Sequence, residues 1–312
     1  MSKNQYIFAV ARTRVLETKL LTDAFVEQLI ATPDVEQCRR LLAEKGWDES
    51  LTREEEKIWE TIKDLRVPET YLDVLKFPML YHNLKAAIKQ TMDSDAKSIA
   101  FYKDENYGRE SMIKIISAKD YSKLPLHMRA IAKEAYETYL HTQDGQLCDI
   151  MVDKACLEAI GKAGKESDEA VVRDYARSIV EITDIKMAVR CERTGKSYDF
   201  CKKALADCPG INVSELSRAA STGKVMEYLK NTSFSEAAEA LEQSTSAFER
   251  WCDNRMIEAM KPQKMEPFSI GPVFAYAVAR LNEIKTVRII LLGKANGLPE
   301  RGIRERVRKM YG

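Results

Sequence analysis

The sequence predicts an all-α protein built from three homologous helical-bundle units of about 100 residues. Three observations carry that expectation. Nearly every long segment repeats its apolar residues with the helical period, and only Ser98–Tyr107 has an extended character, as a loop or short hairpin. An acidic residue, a hydrophobic pair, a glutamate and a further apolar residue recur three times: Glu55, Ile58, Trp59, Glu60, Ile62; Asp153, Cys156, Leu157, Glu158, Ile160; Asp253, Met256, Ile257, Glu258, Met260. A second pattern follows each copy after 25 to 28 residues: Tyr81, Leu84, Lys85, Ile88; Ile182, Ile185, Lys186, Val189; Leu281, Ile284, Lys285, Arg288. Lys85 and Lys186 are 101 residues apart, Lys186 and Lys285 are 99 apart, and two patterns holding their spacing through three copies point to triplication.

The elements follow in order. A first helix is expected from Gln5 to Ile30, ended by Thr32-Pro33-Asp34, with a second running to Gly46. Thr52 and Glu55 have the spacing of a capping box for the first acidic helix, which Pro68 ends. Leu124-Pro125 opens another helix. Gly161 and Gly164 are expected to interrupt the second unit where Pro262 and Pro267 interrupt the third. A long helix from Phe268 to Leu292 should stop at Gly293, and Asn296-Gly297-Leu298-Pro299 turns into a solvated basic helix that reaches Tyr311. Phe8-Ala-Val-Ala-Arg12 echoes Tyr276-Ala-Val-Ala-Arg280, so the first helix pairs with the last long one or imitates it. Unit boundaries fall at residues 1–105, 106–210 and 211–312. No Gly/Ser or Pro-rich linker separates them, which predicts rigid packing.

Composition excludes several classes. The 49 basic and 48 acidic side chains cancel to +1, unlike the basic excess of a nucleic-acid binder. Uninterrupted apolar runs are short, such as Ile289 to Leu292, and fall far short of the roughly 20 residues that span a bilayer. The polar start, leading into Arg12 and Arg14, is not a signal peptide, so a cytoplasmic location is expected. Seven cysteines without a Cys-x-x-Cys pair fit buried, reduced thiols.

A lysine inside an apolar stripe must snorkel to water or meet a carboxylate. Each unit is therefore expected to tie its helices by a latch: Lys85 with Glu55 or Glu60, Lys186 with Asp153 or Glu158, Lys285 with Asp253 or Glu258. A structural latch explains three equivalent copies better than substrate or phosphate binding does. Arg193-Thr-Gly-Lys-Ser197 imitates the end of a phosphate loop, but Arg190 stands where that loop needs glycine and a helix precedes it. His82, His127 and His141 have no paired spacing for a metal, and no catalytic motif is present. No cofactor, metal or catalytic residue is expected.

Gly271-Pro-Val-Phe-Ala-Tyr-Ala-Val-Ala-Arg-Leu-Asn-Glu-Ile-Lys285, continuing through Leu291-Leu-Gly-Lys-Ala-Asn-Gly-Leu-Pro299 and Arg301-Gly-Ile-Arg-Glu-Arg-Val-Arg308, resembles the C-terminal end of the C subunits of V-type ATPases and A-type ATP synthases, counterparts of the eukaryotic d subunits. Tyr6-Ile-Phe-Ala-Val-Ala-Arg12, followed by Leu20-Leu21, is similar to the opening of that family. The resemblance implies a funnel of three helical domains in pseudo-threefold arrangement. It also implies a non-catalytic central-stalk rotor part, a socket between the central-shaft subunits and the membrane-embedded rotor ring. Such a part couples ATP hydrolysis or synthesis to H+ or Na+ transport, with one copy per complex, peripheral on the membrane, and a monomer when isolated. The alternative is a helical-repeat scaffold for protein or peptide partners, whose usual period of 33 to 47 residues neither pattern here shows.

Overall fold

The computed structural model describes residues 6–92 and 99–312. Among them the regular structure is helical, apart from short 3-10 turns and one isolated bridge between Cys208 and Ile211. The helices are α1 (Ile7–Glu17), α2 (Asp23–Ala31), α3 (Val35–Glu44), α4 (Leu51–Asp64), α5 (Asp73–Met92), α6 (Arg109–Ser117), α7 (Leu126–Thr142), α8 (Gly145–Glu166), α9 (Ala170–Arg193), α10 (Tyr198–Ala204), α11 (Val213–Thr222), α12 (Val225–Lys230), α13 (Ser235–Gln243), α14 (Thr245–Met260), α15 (Gly271–Ala295) and α16 (Glu300–Arg304). Packing gathers the chain into two compact units. One holds residues 1–71, 169–175 and 229–312; the other holds 72–168 and 176–228.

The first unit is organised around α15. Val273, Phe274, Ala277, Ile284, Val287 and Ile290 are all buried on it, and each of the larger ones contributes roughly 1.5–3 kcal/mol by leaving water. Helices α1, α4 and α14 pack on α15, and α2, α3 and α16 also touch it. The expected first helix from Gln5 to Ile30 is two helices, since the chain leaves α1 after Glu17 and restarts at Asp23. Two local features make the break. Leu20 and Leu21 are buried between the helices, and the Thr22 hydroxyl accepts from the Phe25 amide as an N-cap, satisfying one of the amides a helix start leaves open. Helix α4 likewise starts one signal earlier than expected. Ser50, not Thr52, is its cap, accepting from the Arg53 amide, and Thr52 lies exposed in the first turn.

At the C-terminal end α15 does not stop at Gly293. It runs to Ala295, and Gly293 is there because α16 presses on it: a β-carbon at that position would lie 2.8 Å from Ile303 Cγ1. The turn glycine is Gly297, at φ +66°. The tail is not a solvated helix to Tyr311. α16 ends at Arg304, and Arg308, Met310 and Tyr311 are buried in an extended strap. Every anchor of that strap is in this unit. Asn282 donates to the Lys309 carbonyl, the Lys309 amide to Asn254, the Met310 amide to Asp23 and the Tyr311 hydroxyl to Glu17.

In the second unit α5 packs on α6, α7 and α8, α7 packs on α8, and α10 packs on α8 and α11. Tyr81, Leu84, Ala87 and Ile88 of α5 are buried. Asn83, also buried on α5, holds the expected loop or hairpin after it: its amide donates to the carbonyls of Tyr102 and Tyr107 and accepts from the Tyr102 amide. That segment is irregular from residue 99 onward, while Ser98 lies outside the described residues. Gly161 and Gly164 do not interrupt α8, which continues through both to Glu166. Glycine lowers helix propensity by about 1 kcal/mol without ending a helix that is buried on one side.

Candidate functional site: carboxylates that tie helices together

The three acidic patterns sit on α4, α8 and α14, and their residues take the same attitudes. The leading acid is half-buried in every copy: Glu55, Asp153 and Asp253. Glu60, Glu158 and Glu258 face outward in every copy. A helix places residues five apart well over a quarter-turn around its axis, so the leading acid alone reaches the neighbouring helix.

Each leading acid holds a cation from another helix. Lys285 of α15 donates to Asp253 at 2.5 Å, within the third pattern. Lys85 of α5 donates to Asp153 of α8 at 2.6 Å, and Lys89 one turn on donates to Asp149 at 2.7 Å. Glu55 accepts from Arg288 of α15 at 2.8 Å, and Glu60 accepts from Arg53 of its own helix at 2.6 Å. Lys85 is thus joined to Asp153 instead of the Glu55 or Glu60 expected for it, because α5 packs on α8. Lys186 is half-buried on α9 between buried Ile182, Ile185 and Val189, and Glu158 lies 4.0 Å from Lys154 of its own helix. Glu258 holds Lys261 at 2.9 Å and Lys309 at 3.3 Å, which keeps its carboxyl below the ordinary range.

Exposure separates these ties. Lys285 and Arg288 are each 45% exposed, so their attraction is screened and worth no more than about 1 kcal/mol. Asp253 has a second partner that the repeat does not foretell: Arg308 of the strap, 7% exposed, donates to the same oxygen at 2.6 Å.

A deeper cluster lies on α15 itself. Arg280 donates to Glu283 and to Glu54 of α4, at 2.5 Å each, and lies 4.6 Å over the Trp47 ring. Glu54 also accepts from the Asp48 amide and Lys57, and Glu283 accepts from the Leu21 amide. Both carboxylates are buried. Desolvation pushes Glu283 up to about 7, against the pull of Arg280. This cluster was hidden in the sequence because Arg280, Glu283 and Glu54 belong to neither of the two patterns that recur three times. The signal available was Arg280 inside the Tyr276-Ala-Val-Ala-Arg280 echo, an arginine amid small apolar residues.

In the second unit Asp184 of α9 is fully buried. It accepts from the Ala206 amide at 3.1 Å, with the Cys208 thiol 4.0 Å away, and desolvation raises its carboxyl to about 7. The seven cysteines are free thiols, six of them buried. Tyr81 and His127 meet at 3.0 Å beneath Phe77, and burial lowers the His127 pKa. No group of acidic, histidine and cysteine side chains among the described residues is arranged for a metal ion. Ser197 of the phosphate-loop imitation caps α10. No helix among the described residues is long and apolar enough to cross a membrane.

A family profile described as ATP synthase (C/AC39) subunit matches residues 9–306. The chain is 22% identical to the C subunit of the A-type ATP synthase of Methanocaldococcus jannaschii over 342 aligned positions, covering 96% of this chain and 85% of that protein. It is 18% identical to the C subunit of the V-type sodium ATPase of Enterococcus hirae, covering 95% of each. The C subunit of the A-type ATP synthase of Methanothermobacter thermautotrophicus is 27% identical over 172 positions, 49% of this chain and 44% of the relative.

Proposed function

Since the chain belongs to the ATP synthase (C/AC39) subunit family and is a rotary ATPase subunit, we propose that it serves as the non-catalytic socket of the rotor, joining the central shaft to the membrane-embedded ring. Torque made by ATP hydrolysis, or drawn from H+ or Na+ flow, then passes through it. The observation that carries this reading is the family match from residue 9 to 306, which accounts for nearly the whole chain.

The chemistry of the chain supports a mechanical part. A torque adaptor must resist shear between helices, and a charge pair across two helices fixes their relative register even where it adds little stability. Asp253, Asp153 and Glu55 each supply such a point. The strap adds four hydrogen bonds reaching α1, α2, α14 and α15. We further read the recurrence of these acids, with Lys85, Lys186 and Lys285, as the trace of a triplicated helical module at residues 1–105, 106–210 and 211–312.

Co-purification with the isolated central-shaft subunits tests the socket. The expected result is a stoichiometric complex with one copy of this chain, which then captures the detergent-solubilised ring. A chain that binds neither shaft nor ring, or that binds unstructured peptides instead, overturns it.

A further inference from the structure

We propose that the outward face of α1, with the loop Lys261–Phe268, is a contact surface for an anionic lipid bilayer. Five large apolar side chains stand exposed there: Ile7 at 46%, Phe8 at 59%, Val15 at 63%, Met265 at 86% and Phe268 at 53%. They are half of the exposed large hydrophobics among the described residues, and an apolar concentration of that kind marks an interaction site. Arg14 holds the two elements together, donating to the carbonyls of Gln263 and Glu266 at 2.9 Å each.

The inner side of α1 is already occupied, with Ala9, Val10 and Thr13 buried. Phe8, Arg12, Val15 and Lys19 recur at helical spacing on the outer side, all exposed, with no carboxylate among them. Arg12 lies 5.7 Å over the Phe8 ring, and Lys264 is exposed beside Met265. The nearby carboxylates all have partners: Glu17 holds Arg14 and Tyr311, Glu266 accepts from the Phe268 amide, and the exposed Glu258 pairs with Lys261 and Lys309.

The partner follows from this pattern. A convex helix face of aromatic and aliphatic groups between cations presents no groove for a peptide. On α1 and the two residues after it, the exposed hydrogen-bonding side chains are Arg12, Thr18 and Lys19. Aromatic and aliphatic groups that dip into the acyl boundary, with cations at headgroup height, are what an interfacial surface requires. The inference goes beyond the socket reading, which places the chain near the membrane without giving it a lipid contact.

Sedimentation of the full chain with vesicles tests it. Binding is expected to phosphatidylglycerol-containing vesicles and not to pure phosphatidylcholine, and it should weaken in 0.5 M NaCl. Each cation removed should cost about fivefold in affinity, so Arg12→Gln with Lys264→Gln should cost about 25-fold. Phe8→Ser with Phe268→Ser should abolish binding. Both pairs are exposed, and unchanged circular dichroism together with retained shaft binding shows that they fold. Absence of binding to anionic vesicles, equal binding by the variants, or loss of self-association or ring capture in place of lipid binding overturns the proposal. The shaft complex survives any of those outcomes, so failure here leaves the socket reading to its own test.

Discussion

Arg308 reaches back from the C-terminal strap to Asp253 of α14, its Nε 2.6 Å from the carboxylate oxygen that Lys285 also holds. One acid therefore joins α14, α15 and the strap. The two cations differ sharply in burial, at 7% and 45% exposure, and this decides what each is worth.

Asp253→Ala leaves the Arg308 guanidinium buried without its carboxylate. The expected loss is on the order of 3 kcal/mol, the scale for stranding one member of a buried pair. Lys285→Ala leaves Asp253 paired with Arg308 and should cost less than about 1 kcal/mol. Urea unfolding of the two variants checks the contrast. Equal losses would mean that the strap is not anchored as described.

Arg280 gives a larger effect. Arg280→Ala leaves Glu283, its side chain 2% exposed, without its cation and takes one of two cations from Glu54, 3% exposed and still held by Lys57, and the expected cost is on the order of 3–5 kcal/mol. By contrast, a double-mutant cycle on Lys85 and Asp153, with side chains 20% and 42% exposed, should give a coupling below about 1 kcal/mol that fades in 1 M salt. A coupling of several kcal/mol there would show that exposure does not govern these ties.

Helices were legible because burial imprints a 3.6-residue period, and the recurring acids and lysines were legible because they keep nearly constant spacing along the chain. What failed was local or non-local in a definable way. Ser50 and Thr52 are both cap residues two positions apart, and only the backbone decides which one is used. Thr22 caps α2 with Phe25, not an acid, at the third position, so no capping box announces the break after Glu17. Lys85 lies on an identifiable stripe, yet its partner depends on α5 packing against α8, which no spacing within one repeat encodes. The strap has no period at all, because an extended buried segment carries its information in the partners that receive it.

Asp184 predicts a pH dependence. Its carboxyl is raised from 3.8 to about 7 by burial, so the folded chain binds this proton more tightly than the unfolded one. The stability it contributes is fully present below about pH 4 and is lost as pH rises through 7. Asp184→Asn keeps an acceptor for the Ala206 amide and removes the titration. The variant should gain stability over the parent by an amount on the order of 2–4 kcal/mol at pH 8 and little at pH 4. Thermal unfolding at the two values checks this, and a gain independent of pH would assign it to packing instead.

Gly293 sets two effects against each other. Within α15 an alanine would be favoured over glycine by about 1 kcal/mol through helix propensity. Its β-carbon, however, would lie 2.8 Å from Ile303 Cγ1 and 3.1 Å from Cδ1. Ile303 is 1% exposed, and overpacking against a buried side chain costs about 1–3 kcal/mol. Sterics should therefore win, with Gly293→Ala destabilising on balance. Ile303→Ala alone leaves a cavity and should cost about 2–4 kcal/mol, but in the Gly293→Ala background the new methyl fills part of that space. The double variant should be more stable than the sum of the two losses predicts. Additive losses in denaturant unfolding, or a net gain from Gly293→Ala alone, would mean that α16 does not press on α15 at this point.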